Sequence, residues 1–277
     1  MTEFEMIKRY FYRHAPQRSE IILGNGDDCA LLRSNKVLAL SIDTLVLGTH
    51  FTEAMLPFDL GMRALAVNLS DCAAMGARPL AFLLALTLPQ LDAQWLESFA
   101  AGLFHQADLF ALPLIGGNTT RGPLSMTIQI IGELDQALKR SDAKPGDDIY
   151  VSGVLGAAAL HIRPRVDLGL ALQGVAHAAI DISDGLIQDL GHILEASACG
   201  AHLFSSQIPC HIDLNRALYY GEDYELCFTA RPEDAAKIAD IALRLNLPLT
   251  RIGQITVEKD FLMDHHPVMI KGYQHFY

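Results

Sequence analysis

Apolar and β-branched residues fill Val37–Val46 (VLALSIDTLV), whose length and composition predict a buried strand, and a further strand is expected at Ser125–Leu134. A third run, Pro79–Pro89 (PLAFLLALTLP), is bounded by prolines, predicts a strand over Leu80–Leu88, and is far too short to cross a bilayer. Between these runs the spacing turns helical. Met62–Met75 (MRALAVNLSDCAAM) is rich in helix formers, is apolar on most faces and is ended by Gly76 and Pro79, so it predicts a buried helix. From about Asp92 to Leu109, Leu96, Phe99 and Leu103 share one face of an amphipathic helix. A helix is expected at the N-terminus, and a strand at Leu112–Ile115 is expected to end where Gly116-Gly117 turn the chain.

Further on, Lys144-Pro145-Gly146-Asp147-Asp148 predicts a turn leading into a strand at Ile149–Ser152. Ala178–Ile182 predicts a strand and Asp184–Ala196 a helix, and Cys227–Ala230, Pro232–Leu245 and Leu249–Ile255 predict strand, helix and strand. The alternation defines an α/β class. A length of 277 residues favours two domains, and the boundary is expected near Asp135 to Arg140, giving 1–136 and 137–277.

With 51% hydrophobic and 19% charged residues the chain has ample apolar surface for folded cores. Its net charge of −11, with no Lys/Arg stripe, excludes nucleic acid and anionic membrane as expected partners. The segment MTEFEMIKRYFYRH lacks the order of a signal peptide, so a cytoplasmic location is expected. Five cysteines, Cys29, Cys72, Cys199, Cys210 and Cys227, form no C-x-x-C pair and are expected to be reduced core thiols; His265 and His266 are expected to be solvated.

Carboxylates interrupt the apolar elements at five places: Asp27-Asp28 after Gly26, Asp43 inside a strand, Asp71 inside a helix, Asp181 with Asp184 at a strand-to-helix junction, and Glu222-Asp223. Singly, each has a plain structural reading: an Asx turn for Asp27-Asp28, a helix cap for Asp184, a core ion pair for Asp71. Together they outnumber the nearby cations. A hard cation would offset the excess, and Mg²⁺, which takes oxygen ligands, fits carboxylates together with Ser41. Such clusters serve phosphate transfer, and Gly116-Gly117-Asn118-Thr119-Thr120-Arg121 would let backbone N–H groups approach an anion. Walker-type, protein-kinase and dinucleotide-binding glycine motifs are absent.

These residues resemble the bacterial thiamine-monophosphate kinases, of the aminoimidazole-ribonucleotide-synthetase-like superfamily. The resemblance runs through Gly26-Asp27-Asp28-Cys29-Ala30, Ser41-Ile42-Asp43-Thr44, Gly48-Thr49-His50-Phe51, Asn68-Leu69-Ser70-Asp71, Gly116-Gly117-Asn118-Thr119-Thr120-Arg121, Lys144-Pro145-Gly146-Asp147, Arg163-Pro164-Arg165, Asp181-Ile182-Ser183-Asp184-Gly185-Leu186 and Gly221-Glu222-Asp223-Tyr224-Glu225-Leu226. It implies an N-terminal α/β domain that pairs in a homodimer, a C-terminal α/β domain, and a site in the cleft between them. It also implies transfer of the γ-phosphate of ATP to thiamine monophosphate, with no covalent intermediate. Carried over by motif, Asp28, Ser41, Ile42, Asp43, Asp71, Asn118, Asp181 and Asp184 are the expected Mg²⁺ ligands. Gly117, Asn118, Arg140 and Ser183 are expected at ATP, and His50, Glu222 and Tyr273 at the acceptor.

The chain departs from the family in three places. Asn118 stands where the family has the aspartate of Gly-Gly-Asp-Thr, and Ile42 where a threonine is common. Between Gly156 and Arg163, a helically patterned stretch of roughly two to three dozen residues in the family is nearly absent. Its loss is expected to expose core or thin the cleft wall. The alternative reading these departures raise is a degenerate paralogue that binds nucleotide without turnover.

Overall fold

The computed structural model describes residues 2–12, 18–157, 162–210 and 213–273. The chain divides into two units, Met1–Cys72 with Arg78–Asp135, and Ala73–Ala77 with Gln136–Tyr277. In the first unit the order is α1 (Glu3–Tyr10), β1 (Ile21–Leu23), β2 (Leu31–Leu32), β3 (Val37–Val46), α2 (Pro57–Ala74), β4 (Arg78–Leu88), α3 (Ala93–Asp108), β5 (Leu114–Arg121) and β6 (Ser125–Leu134). Thr2 starts α1 through a capping box with Glu5, and Asp92 starts α3 by accepting the N–H groups of Gln94 and Trp95. The helix expected from Met62 begins earlier, at Pro57, because proline is preorganised for a first helical turn.

The four strands β3-β6-β4-β5 form one sheet, antiparallel except for the parallel β4/β5 pair. Alternation along β3 puts Ser41 and Asp43 on one face and Leu40 and Ile42 on the other. The Ser41 face meets α2, since Ser41 Oγ donates to Asp71 Oδ2. Leu40 and Ile42 are 60% and 63% exposed, so the expectation of a buried strand is corrected: β3 is an edge strand covered on one face only. The expected turn at Gly116-Gly117 is not formed: β5 runs straight through it to Arg121. Glycine is needed there for close strand approach, since a Cβ on Gly117 would lie 2.0 Å from Leu84 O on β4.

The second unit contains a 3₁₀ turn at Arg140–Asp142, then β7 (Asp148–Ser152), α4 (Val166–Leu172), β8 (Ala176–Asp181), α5 (Leu186–Ser197), β9 (Gly200–Leu203), α6 (Leu214–Tyr219), β10 (Leu226–Ala230), α7 (Ala235–Leu245), β11 (Leu249–Thr256), β12 (Phe261–Met263) and β13 (His266–Pro267). Its seven-stranded sheet runs β13-β12-β9-β11-β7-β10-β8, antiparallel except for β12/β9. Ile149, Val151, Ile180, Ile187, Leu190, Ile193 and Cys227 fill its core. The shortened stretch leaves no exposed core at its described flanks: Leu155 is fully buried and Ile162 nearly so, while residues 158–161 lie outside the described set.

Cys72, Cys199 and Cys227 are buried as expected, but Cys29 and Cys210 are exposed, because each sits in an irregular segment rather than in a core element. Burial, with Asp71 adding to it, pushes the Cys72 thiol up to about 12, so it stays protonated at neutral pH. No helix among the described residues is long and apolar enough to cross a membrane.

Candidate active site

In the first unit, a cavity of 790 Å³ gathers Asp27, Asp28, Gly117 and Asn118, with Phe11 and Tyr12 also lining it. The Gly24–Ala30 loop is tied over β5 by Asn25, whose Nδ2 donates to Leu114 O at 2.8 Å, and Tyr12 Oη donates to Asn25 O. Asp27 Oδ1 accepts the N–H of Asp28 at 2.9 Å, the local turn bond that sequence allowed for this pair. It leaves Asp28 exposed. A second group is Ser41, Asp43 and Asp71, all half-buried on facing sides of β3 and α2. The Ile42 side chain points to the opposite face of the sheet, so only its backbone could reach a metal held on the Ser41 side. His50 follows β3, and its Nδ1 accepts the N–H of Val46 at 3.1 Å, which puts the proton of the neutral ring on Nε2.

In the second unit, two loops are laced together. Asp181, buried at the end of β8, pairs in register with Leu226 at the start of β10. Beyond them, Ile182 N donates to Glu225 O, Tyr224 N to Ile182 O and Glu222 N to Ser183 O, each at 2.8 Å. Glu222 and Tyr224 hold left-handed φ values of 70° and 51°, strain of about 1 kcal/mol or more each that surrounding contacts must offset. Gly221 has no room for a side chain, because a Cβ would lie 1.8 Å from Ser183 O. The C-terminal segment docks on the same loop: Tyr273 N donates to Asp184 O at 3.3 Å, and Gln188 Nε2 reaches both Tyr273 O and Asp184 Oδ2 at 3.1 Å. Asp181, Ser183, Asp184, Glu222 and Tyr273 are thereby brought together. Arg140 is not among them within this unit. Its carbonyl accepts from Ser197 Oγ at the C-terminal end of α5, and that helix rises roughly 16 Å from the end that carries Asp184.

Of three further acids that shape this region, Asp189 carried no expectation from sequence, while Asp223 and Glu225 were noted beside Glu222 without a role. Asp189 is buried in the first turns of α5, and its Oδ2 accepts the N–H groups of Ser183, Asp184 and Gly185 at 3.0, 3.0 and 3.1 Å. Burial pushes its carboxyl up to about 7 despite the bond from Asp184 N, and the nearby Asp181 and Asp184 add to the rise. Asp223 accepts from Gly156 N and Ala157 N, and Glu225 pairs with Arg165 while accepting from Ser152 Oγ. Both ends of the shortened stretch are thus anchored on the Gly221–Leu226 loop. The alternate acids 223 and 225 were the available signal.

Among the described residues no three His, Cys, Asp or Glu side chains within reach of one another form a ready-made metal cage. The oxygen donors that Ser41, Asp43 and Asp71 offer are of the kind a hard cation such as Mg²⁺ takes.

Residues 26–134 match the family model described as AIR synthase related protein, N-terminal domain, and residues 141–265 match AIR synthase related protein, C-terminal domain. The chain is 47% identical to the thiamine-monophosphate kinase of Escherichia coli (strain K12) over 319 residues, covering 99% of this chain and 98% of that protein. It is 34% identical to the thiamine-monophosphate kinase of Bacillus subtilis (strain 168) over the full length of both. Alignment over 319 positions against 277 residues leaves at least 42 positions that this chain does not fill, in keeping with a shortened relative. The crystal structure of the thiamine-monophosphate kinase from Stenotrophomonas maltophilia K279a superimposes with a TM-score of 0.87 at 42% identity, covering 91% of this chain and 93% of that one. AaThiL complexed with AMPPCP and TMP superimposes at 0.81 and 28% identity, covering 87% and 88%. The two-domain mixed α/β fold expected from the sequence is therefore that of the AIR synthase related proteins. Within them, the chain belongs to the thiamine-monophosphate kinase family.

Proposed function

We infer that this chain transfers the γ-phosphoryl group of ATP to thiamine monophosphate. A terminal phosphate oxygen of the acceptor bonds to the γ-phosphorus as the bond to the β–γ bridging oxygen breaks, giving thiamine diphosphate and ADP. The observation that carries this is the laced pair of loops, Asp181–Gly185 and Gly221–Leu226, in a chain 47% identical at near full length to a thiamine-monophosphate kinase. The complex of AaThiL with AMPPCP and TMP supports the pairing of an ATP-like donor with this acceptor.

Asp28, Ser41, Asp43, Asp71 and Asn118 of the first unit, the Ile42 backbone, and Asp181 and Asp184 of the second are the Mg²⁺ ligands in this reading. Mg²⁺, when bound, neutralises charge on the phosphate oxygens during transfer. Gly117, Asn118, Arg140 and Ser183 serve ATP: the bare Gly117 backbone admits a phosphate closely, and Ser183 and Arg140 supply donors. His50, Glu222 and Tyr273 serve the acceptor, with Glu222 and the Tyr273 ring suited to a cationic heterocycle. The first unit (1–136) carries most of the metal ligands together with Gly117 and His50, and the second (137–277) adds Arg140, Asp181, Ser183, Asp184, Glu222 and Tyr273. ATP supply places the reaction in the cytoplasm.

The test is to incubate the protein with ATP, Mg²⁺ and thiamine monophosphate and assay thiamine diphosphate. Product that vanishes on chelation supports the reading; ATP binding with no product points to the degenerate alternative. Asn118→Asp should lower the Mg²⁺ concentration for half-maximal rate by about tenfold, since the added charge strengthens a hard-cation site. An unchanged Mg²⁺ requirement would remove Asn118 from the ligand set.

The chain is also proposed to form a homodimer, through the β3 face that carries Leu40 and Ile42. A half-bare apolar surface on a sheet's edge strand is costly in water and liable to associate. A Leu40→Asp/Ile42→Asp variant should elute near the 30.3 kDa monomer mass and the parent chain at twice that. Identical elution of both would defeat the assignment.

A further inference from the structure

We propose that Asp189 is a positioning residue that sets the shape of the Asp181–Gly185 loop for metal binding. The inference rests on the reading of Asp181 and Asp184 as Mg²⁺ ligands.

A single oxygen of Asp189 gathers three consecutive backbone N–H groups, those of residues 183, 184 and 185. Gly185 has a φ of 113°, so the chain here is not helical, and these N–H groups have no carbonyl one turn back to bond. The carboxylate supplies the missing acceptor and stops α5 from winding back through Asp184. With the backbone of 183–185 pinned from one side, the Asp184 side chain is directed to a fixed place, where Gln188 holds its Oδ2 at 3.1 Å. An uncharged acceptor would meet the same geometric demand, and to the extent that the carboxyl is ionised its bonds are stronger, by up to about twofold. Asp189 is only 3% exposed and commits Oδ2 to the backbone, so it acts on the metal through the loop.

The test uses the full chain and two variants, Asp189→Asn and Asp189→Ala. Mn²⁺ binding is followed by the loss of the free-ion EPR signal beyond that caused by AMPPCP alone, beside thermal unfolding and the Mg²⁺ dependence of thiamine diphosphate formation. Outer partners of metal-binding groups typically govern about 10–100-fold of affinity. Asp189→Ala should weaken Mn²⁺ binding and raise the Mg²⁺ requirement within that range. Asp189→Asn, which keeps an acceptor oxygen, should recover most of the loss, with KM for thiamine monophosphate moving less than about twofold. Either folded variant binding Mn²⁺ as the parent does would overturn the proposal, leaving Asp189 a stability residue. So would equal losses in both, which would make the carboxylate itself a ligand. Should the alanine variant fail to fold, the asparagine variant decides alone: a loss of about two- to fivefold, from the weaker neutral acceptor, supports the proposal, and parental binding overturns it. If the parent chain binds no Mn²⁺, the ligand reading fails and the proposal with it; if it binds Mn²⁺ but makes no product, the kinase reading fails and the variants' Mn²⁺ binding still decides the role of Asp189.

Discussion

Asp181→Asn should cut the rate of thiamine diphosphate formation by about 10³-fold, on the scale of removing one charged group from a transition state. Thermal unfolding should hold or rise slightly. Asp181 is buried at the end of β8, and its negative charge lies close enough to Asp189 to raise that carboxyl. Removing the charge relieves repulsion, while the backbone pairing with Leu226 is untouched. A catalytic collapse with no loss of stability is the signature of a metal ligand, and a core residue would show the reverse. Asp71→Asn should behave alike, because an asparagine oxygen can still accept from Ser41 Oγ. Parental turnover in either variant removes that residue from the metal set.

Glu225→Ala should be the most destabilising of the polar substitutions, by about 3–5 kcal/mol, the cost of leaving a largely buried charge without its partner. Glu225 takes a two-pronged contact from Arg165 and a bond from Ser152 Oγ, which in turn accepts Leu226 N at 2.9 Å. The carboxylate and arginine side chains are 9% and 21% exposed, so solvent does little to replace either. Urea titration of Glu225→Ala, Arg165→Ala and the double variant measures the pair. A loss under about 1 kcal/mol for Glu225→Ala would mean that the contact is no stronger than a surface ion pair.

The strands at Val37–Val46 and Ser125–Leu134 were legible to the residue, because β-branched and apolar runs of that length have no competing periodicity. Gly116-Gly117 misled: glycine marks a turn in most contexts, but here it marks close contact with β4, which depends on a partner strand no local pattern reveals. The short elements β9, α6 and β12 escaped notice because each is held by pairing or packing rather than by its own pattern. Of the site, the acids at 181, 184 and 222 stood out as carboxylates in apolar surroundings. Asp189 did not, since an aspartate in a helix's first turns is ordinary until the N–H groups it gathers are seen.

The lacing of Ile182 and Ser183 to Glu222, Tyr224 and Glu225 joins the proposed metal loop to the proposed acceptor loop by main-chain bonds. Side-chain replacement other than by proline leaves the donors of such bonds in place, so the two loops are held as one piece of backbone. In the proposed reading, an acceptor that settles Glu222 also bears on the loop that carries Asp184. By thermodynamic reciprocity, any factor by which acceptor tightens metal is the factor by which metal tightens acceptor. In that reading, a change of shape in one loop therefore bears on the other.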